Sequence, residues 1–269
     1  MTTQFLFGPA GWSYKDWEGT VYPDDKPGDF DQLRFIAQSF DFVEVNTTFY
    51  HIPSPKLTAG WAEKTSSLPN FKFWVKLYQQ FTHLRKITTQ DVTQFKAAIE
   101  PLKQSGKLEG LLVQFPYSFK LNTGYLKYFE GLTDVFKEYT LAAEFRHNSW
   151  ERKEFLDILK KRNIIWVNID QPVISQSLAL TSYVTHPGIC YFRLHGRNAK
   201  TWFSHDGRDA RYDYSYNTLE LNEIAQKIKE LAALAKSIFI SGNNHYKGSA
   251  IKNLGELKNI LEKLSNPPA

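Results

Sequence analysis

One cysteine and one methionine occur in the 269 residues. A lone Cys190 excludes a disulfide within the chain, which suits a reducing cytosol. Its place inside an apolar run reads as an inert buried thiol. No apolar run approaches the roughly 20 residues that cross a bilayer. The start, MTTQFLFGPAGW, lacks the basic leader and apolar stretch of a signal peptide. These absences together predict a cytoplasmic protein with no membrane association. No GxGxxG follows the first strand, which counts against a dinucleotide-binding sheet. No HExxH or similarly compact metal motif occurs. No low-complexity linker divides the chain, so residues 1–269 are read as a single domain.

What is present is ordinary in amount and unusual in placement. Hydrophobic residues make up 42% and charged ones 23%, as in a soluble globule. A chain this long can bury roughly three quarters of its unfolded surface. Aromatics reach 15%, and many rings stand beside polar motif residues. A net charge of +5 and a pI near 9.0 tilt the expectation toward anionic ligands.

Short apolar runs at 5–7, 41–50, 71–77, 111–115, 141–150, 164–170, 189–195 and 237–241 read as strands. Helical periodicity appears at 31–40, 91–104, 122–139, 151–161 and 249–264, with a further helix carrying Leu57, Trp61 and Ala62. Strands separated mostly by helices predict a parallel sheet. Eight of them predict an α/β fold, a single TIM-like (β/α)8 barrel with decorated βα loops. An open doubly wound sheet is the alternative. The segment GPAGWSYKDWEG suits either a loop over the pocket mouth or a plug at one end of the core. Asn266, Pro267 and Pro268 end the chain as a frayed tail.

The stretch LAAEFRHNSW (141–150) opens apolar and ends in Glu144, Arg146 and His147. Alternation puts Ala142, Glu144 and Arg146 on one strand face. If that face lines a closed interior, the pair must be matched, hydrated or used. Other strands end the same way: Glu44 and Asn46, Lys76, Gln114, Asn168 with Asp170, Arg193 with His195, then Asn243, Asn244 and His245. Taken singly each is a plausible structural group. Together they make a polar ring that a merely stable barrel does not need, at the face where barrels carry active sites.

His147, His195 and His245 at strand ends, with His51 and His186 in loops, could join Glu44, Glu144 and Asp170 around a divalent metal. The rival is a metal-free site in which Arg146, Arg193 and Lys76 neutralise the carboxylates and hold an anion. The seventh loop interleaves Arg197, Lys200, Arg208 and Arg211 with Trp202, Phe203, Tyr212, Tyr214 and Tyr216. Such a loop can be a lid over the pocket or a contact for single-stranded nucleic acid. Lys247-Gly248-Ser249 precedes a helix and suits either phosphate binding, together with Arg193 and Arg197, or an ordinary cap.

The motifs GPAGWSYKDWEG, FVEVNTTFYHIP, LLVQFPYSF, EFRHNSW, YFRLHGR and NNHYKGSAIKN, in this order over nearly the whole chain, resemble the domain of unknown function 72 family, also called YecE-like. Pro9 stands where that family usually has threonine, and Ser241 or Gly242 where an aromatic often precedes Asn-Asn-His. The resemblance implies a TIM-like barrel from bacteria or archaea and brings no settled reaction.

Two functions follow as expectations. The first is an enzyme on a phosphorylated or other anionic substrate, a phosphoester hydrolase or metal-assisted nuclease. Glu44, Glu144, His195 and His245 would be catalytic. Asn46, Lys76, Gln114, Arg146, Asn168, Arg193, Arg197, Asn243, Asn244 and Lys247 would hold substrate. The second is a non-catalytic nucleic-acid or nucleotide binder using a basic, aromatic rim.

Overall fold

The computed structural model describes residues 3–202 and 210–265. Arg208, Phe203 and the tail prolines lie outside the described residues. Strands β1 (Gln4–Pro9), β2 (Phe42–Val45), β3 (Lys72–Lys76), β4 (Leu108–Gln114), β5 (Leu141–Glu144), β6 (Ile165–Asp170), β7 (Ile189–Leu194) and β8 (Ser237–Gly242) form one parallel sheet. The sheet runs β1-β8-β7-β6-β5-β4-β3-β2. The two end strands then meet through a parallel bridge between Ala10 and Glu44. Asp41 reinforces this seam: its amide donates to the carbonyl of Phe7, and its carboxylate accepts the Phe7 amide at 2.8 Å. The result is a nearly closed barrel of the TIM-like (β/α)8 kind.

Helices α1 (Gln32–Ser39), α2 (Pro55–Lys64), α3 (Gln79–Thr82), α4 (Thr89–Gln104), α5 (Thr123–Val135), α6 (Lys153–Lys161), α7 (Thr218–Leu231) and α8 (Ser249–Ser265) cover the outside. Their starts follow from local chemistry. Asp31, Ser54, Thr88, Asn122 and Asn217 each accept a first-turn amide with a side-chain oxygen, satisfying donors that a helix start leaves bare. The periodicity at 218–231 and the single turn of α3 are additions to the sequence reading. Of the residues read on α2, Trp61 and Ala62 are buried and Leu57 is 48% exposed.

No helix follows β6 among the described residues. Residues 171–188 instead lie against the strands as an irregular strap. Asn168 buckles it down: its Oδ1 accepts from the Thr181 hydroxyl at 2.9 Å and the Tyr183 amide at 2.8 Å, and its Nδ2 donates to the Tyr183 carbonyl. Thr185 caps the Ile164 carbonyl and receives the Trp166 amide.

Inside the barrel Phe42, Trp74, Tyr191 and Phe239 pack ring on ring. Each is fully or almost fully buried, and each such ring contributes roughly 2–3 kcal/mol of apolar burial. They form the floor beneath the polar layer. The GPAGWSYKDWEG segment takes the plug role. Trp17 is fully buried with Tyr22 and Ile36, and its indole donates to the His245 carbonyl at 2.7 Å.

Candidate functional site

The polar layer rests directly on the aromatic floor. Alternation from Tyr191 carries Arg193 and His195 inward, and register pairs Arg193 with Ser241 on β8 and Ile169 on β6. Arg193 lies between two buried carboxylates. Its Nε donates to Glu44 Oε2 at 2.8 Å, its Nη2 to Glu44 Oε1 and its Nη1 to Glu144 Oε2. The Tyr191 hydroxyl also donates to Glu44 Oε2, at 2.9 Å. The other oxygen of Glu144 forms an ion pair with Arg146, Nε 2.6 Å from Oε1. Burial pushes the Glu144 carboxyl up, but the guanidinium groups of Arg146 and Arg193 outweigh it and hold the group well below its ordinary value. Burial favours loss of the Arg193 proton, and the two carboxylates reverse that and raise its pKa. Two carboxylates and two guanidinium groups balance each other, as buried charges must.

His195 closes the layer. Nδ1 lies 2.8 Å from Asn243 Nδ2 and 3.5 Å from Arg146 Nη2. Both neighbours are donors, so Nδ1 accepts and the ring proton sits on Nε2, which faces Glu144 Oε1 at 3.5 Å. Burial first, then Arg146, drives the His195 pKa well below its ordinary value. It is a neutral ring that positions Arg146.

Above this layer opens a cavity of about 370 Å³, the size of a small-molecule site. Lys76, Arg146 and Arg211 supply its cations, Gln114, Gln171 and His83 its neutral polar groups, and Phe49, Tyr50, Tyr117, Trp202 and Tyr212 its rings. No carboxylate lines it among the described residues. Arg146 is pinned by Glu144, by Gln171 Oε1 at 3.0 Å and by His195. Its hydrogen bonds engage one N–H on each terminal nitrogen and leave the other N–H of each. The Nε of Arg211 is buried without a hydrogen-bond partner among the described residues. Lys76 lies with its ammonium 4.3 Å from the centre of the Phe49 ring, and no residue among those described hydrogen-bonds it. Burial, then Arg193, pushes the Lys76 pKa down to about 7. Burial, then Lys76, pushes His83 down to about 3.

The structure thus brings together Glu44, Glu144, Arg146, Arg193, His195 and Asn243, and places Lys76 and Gln114 at the cavity above them. Glu44, Glu144, Arg193 and His195 lie under that cavity rather than on its surface. Of the residues expected to cradle a phosphate, Arg193, Arg197 and Lys247 are turned to different partners. Arg193 serves two glutamates. Arg197 grips Asp170 at 2.8 Å and Glu223 at 3.0 Å. The Lys247 amide donates to Asp16 at 2.6 Å, and its side chain lies over the Tyr246 ring beside a separate hollow lined by Val21 and Phe35. Asn168 and Asp170 face the outer layer, since register sets them beside Phe192 and Leu194. Asn244 ties Tyr214 and Asn253 together. His245 stacks on Tyr14, ring centres 4.3 Å apart. Asn46 lies just past β2, outside the cavity lining, with a buried Oδ1 unpartnered among the described residues.

No group of three or more His, Cys, Asp or Glu side chains converges to hold a metal ion among the described residues. His147 is occupied by Ser149 and Gln176. Cys190 is buried, and burial pushes its thiol up to about 12. No helix among the described residues is long and apolar enough to cross a membrane. Sequence reading missed His83 and Gln171. Gln171 continues the inward parity of Val167 and Ile169 one step past β6, a signal that was legible. His83 sits beyond a single helical turn and carries no such signal.

The family described as "Protein of unknown function DUF72" matches residues 6–269. The UPF0759 protein YunF of Bacillus subtilis is 29% identical over 270 residues, covering 95% of this chain and 94% of its own. The crystal structure of a DUF72 family protein from Thermotoga maritima is 34% identical with a TM-score of 0.84, covering 96% of this chain and 99% of that one. One from Enterococcus faecalis is 27% identical with a TM-score of 0.84, covering 96% of each.

Proposed function

Because the chain belongs to the DUF72 family, whose description names no reaction, we propose a function from the geometry alone: an enzyme acting on a small anionic molecule in the mouth of the barrel. One observation carries this reading. The cavity has Lys76, Arg146 and Arg211 in its lining and, among the described residues, no carboxylate. The two glutamates nearest to it are spent on Arg193 and Arg146. The layer below is therefore self-neutralised, and the positive potential of Lys76 and Arg211 is left for a ligand. Arg146 offers a planar donor array held in place by Glu144, Gln171 and His195, which suits carboxylate or phosphate oxygens. Lys76, with a pKa near 7, is the group suited to move a proton at neutral pH.

The basic, aromatic seventh loop supports the lid reading over the nucleic-acid one. Trp202, Arg211 and Tyr212 wall the cavity, and Arg146 lies 5.6 Å from the Trp202 ring. Titration calorimetry with phosphate, short-chain carboxylates and a mononucleotide, on wild type and Arg211→Ala, tests the proposal. A small anion should bind, and Arg211→Ala should weaken it about tenfold, roughly 1.4 kcal/mol. No binding, or equal binding by both proteins, would remove the site.

A further inference from the structure

Lys76 is the amine of the cavity lining among the described residues, and none of them accepts a hydrogen bond from its nitrogen. It ends β3, so a sheet strand rather than a loop aims it. The carboxylates that would ordinarily pair with it are engaged elsewhere: Glu44 accepts from Arg193 and Tyr191, and Glu144 pairs with Arg193 and Arg146. Nothing among the described residues accepts a hydrogen bond from its Nζ, and the Phe49 ring lies against it. Among the described residues the polar lining around it is cationic or neutral.

We propose that Lys76 forms an imine with a small 2-oxo acid whose carboxylate is held by Arg146 and Arg211. This rests on the reading of the mouth as an anion site and names the substrate class. In the step, the Lys76 amine attacks the ketone carbon and a C–N bond forms. The carbonyl oxygen leaves as water with the two amine protons, giving C=N. A proton from solvent then yields the iminium. No oxidant or second reactant enters. Two features favour this chemistry over simple proton transfer. Near pH 7 a sizeable fraction of the amine is already neutral and nucleophilic, through burial and then Arg193. Glu44 and Glu144 act in the opposite sense on Lys76, favouring positive charge at its nitrogen, so they stabilise the iminium once formed. The planar acid then lies among rings of the lining, with Trp202 and Tyr212 beside its apolar end.

The test is reductive trapping. Wild-type protein at pH 8 is incubated with pyruvate, 2-oxobutyrate or phenylpyruvate plus cyanoborohydride, then weighed intact and mapped by peptide. One addition, the acid less one oxygen atom, is expected on the Lys76 peptide, dependent on reductant. Lys76→Arg should abolish it, and Arg211→Ala should slow it about tenfold. Labelling spread over surface lysines, or none with any of the three acids, overturns the proposal. Calorimetry with lactate, which has the carboxylate and no ketone, separates the two readings. Lactate binding without trapping removes the imine and leaves the anion site. Neither removes both.

Discussion

Two cations in one barrel show how partners decide a side chain's use. Arg193 and Lys76 both enter the interior near the same glutamates. Arg193 has a fork wide enough to serve both carboxylates and keeps its charge. Lys76 arrives with no acceptor left. The Phe49 face favours a desolvated ammonium by about 2 kcal/mol, less than the burial that lowers its pKa from 10.5 to about 7. The direction sets a pH dependence. Below pH 7 the native and unfolded chains both hold the Lys76 proton, and the native state carries the whole penalty of a confined ammonium. Between pH 7 and 10.5 only the unfolded chain holds it, so this contribution improves stability as pH rises. One pKa unit is about 1.4 kcal/mol, and partial exposure discounts the full shift to on the order of 2 kcal/mol. Lys76→Met should therefore be more stable than wild type by about that much at pH 6 in urea titrations. The gap should close toward pH 10.5. A gap that does not change with pH would mean that folded Lys76 keeps its proton in the same range as the unfolded chain.

Elements were legible where one periodicity governed them. The inward series Tyr191, Arg193, His195 and the pair Glu44 and Glu144 could be read because strand parity alone places them. Asn168 and Asp170 share that regularity but face the other way. Their parity was visible, and which face was interior was not, because β6 is apolar on both sides. The strap at 171–188 explains the difference. Without a helix to cover the strand, something polar on the outer face must satisfy the strap's backbone, and Asn168 does so with three hydrogen bonds. Asn168→Ala would strand the Tyr183 amide, while the Tyr183 carbonyl keeps Cys190 Sγ and the Thr181 hydroxyl keeps the Trp166 indole, costing about 1–3 kcal/mol for the one stranded group. Hydrogen exchange should show the Tyr183 amide losing protection while β3 and β4 keep theirs. Unchanged exchange at Tyr183 would show that the strap is held from elsewhere. The loop 196–217 was legible in composition only. That Arg211 and Tyr212 turn toward the mouth, while Arg197 turns to Asp170 and Glu223, depends on contacts between elements far apart in the chain.

At the scale of the whole molecule, everything above depends on closing the sheet between β1 and β2. Glu44 sits at that seam, bridged to Ala10, so the position of the acidic partner of Arg193 is set by how closely the two strands approach. Gly8 permits the approach. A Cβ there would lie 2.1 Å from the carbonyl oxygen of Phe42 and 2.8 Å from its carbon, both backbone atoms with no rotamer to yield. Gly8→Ala must therefore push β1 away from β2. Small-to-large changes in tight packing typically cost about 1–3 kcal/mol, and a backbone obstacle puts this one at the upper end. The Asp41–Phe7 hydrogen bonds would lengthen with it, and Glu44 would move off Arg193. We expect Gly8→Ala to lose about 3 kcal/mol in denaturant and to lose exchange protection first at the Asp41 amide. Because the glutamate shifts, anion binding at the mouth should weaken as well, although Gly8 touches no ligand. Asp41→Asn offers a milder probe of the same seam, keeping the strand spacing while weakening one charge-assisted bond at 2.8 Å. It should loosen the Phe7 amide and leave anion affinity nearly unchanged. If Gly8→Ala behaved like Asp41→Asn, with the seam loosened and the mouth unaffected, the cavity would owe its geometry to β3 through β7 alone, and closure of the barrel would matter for stability but not for the site.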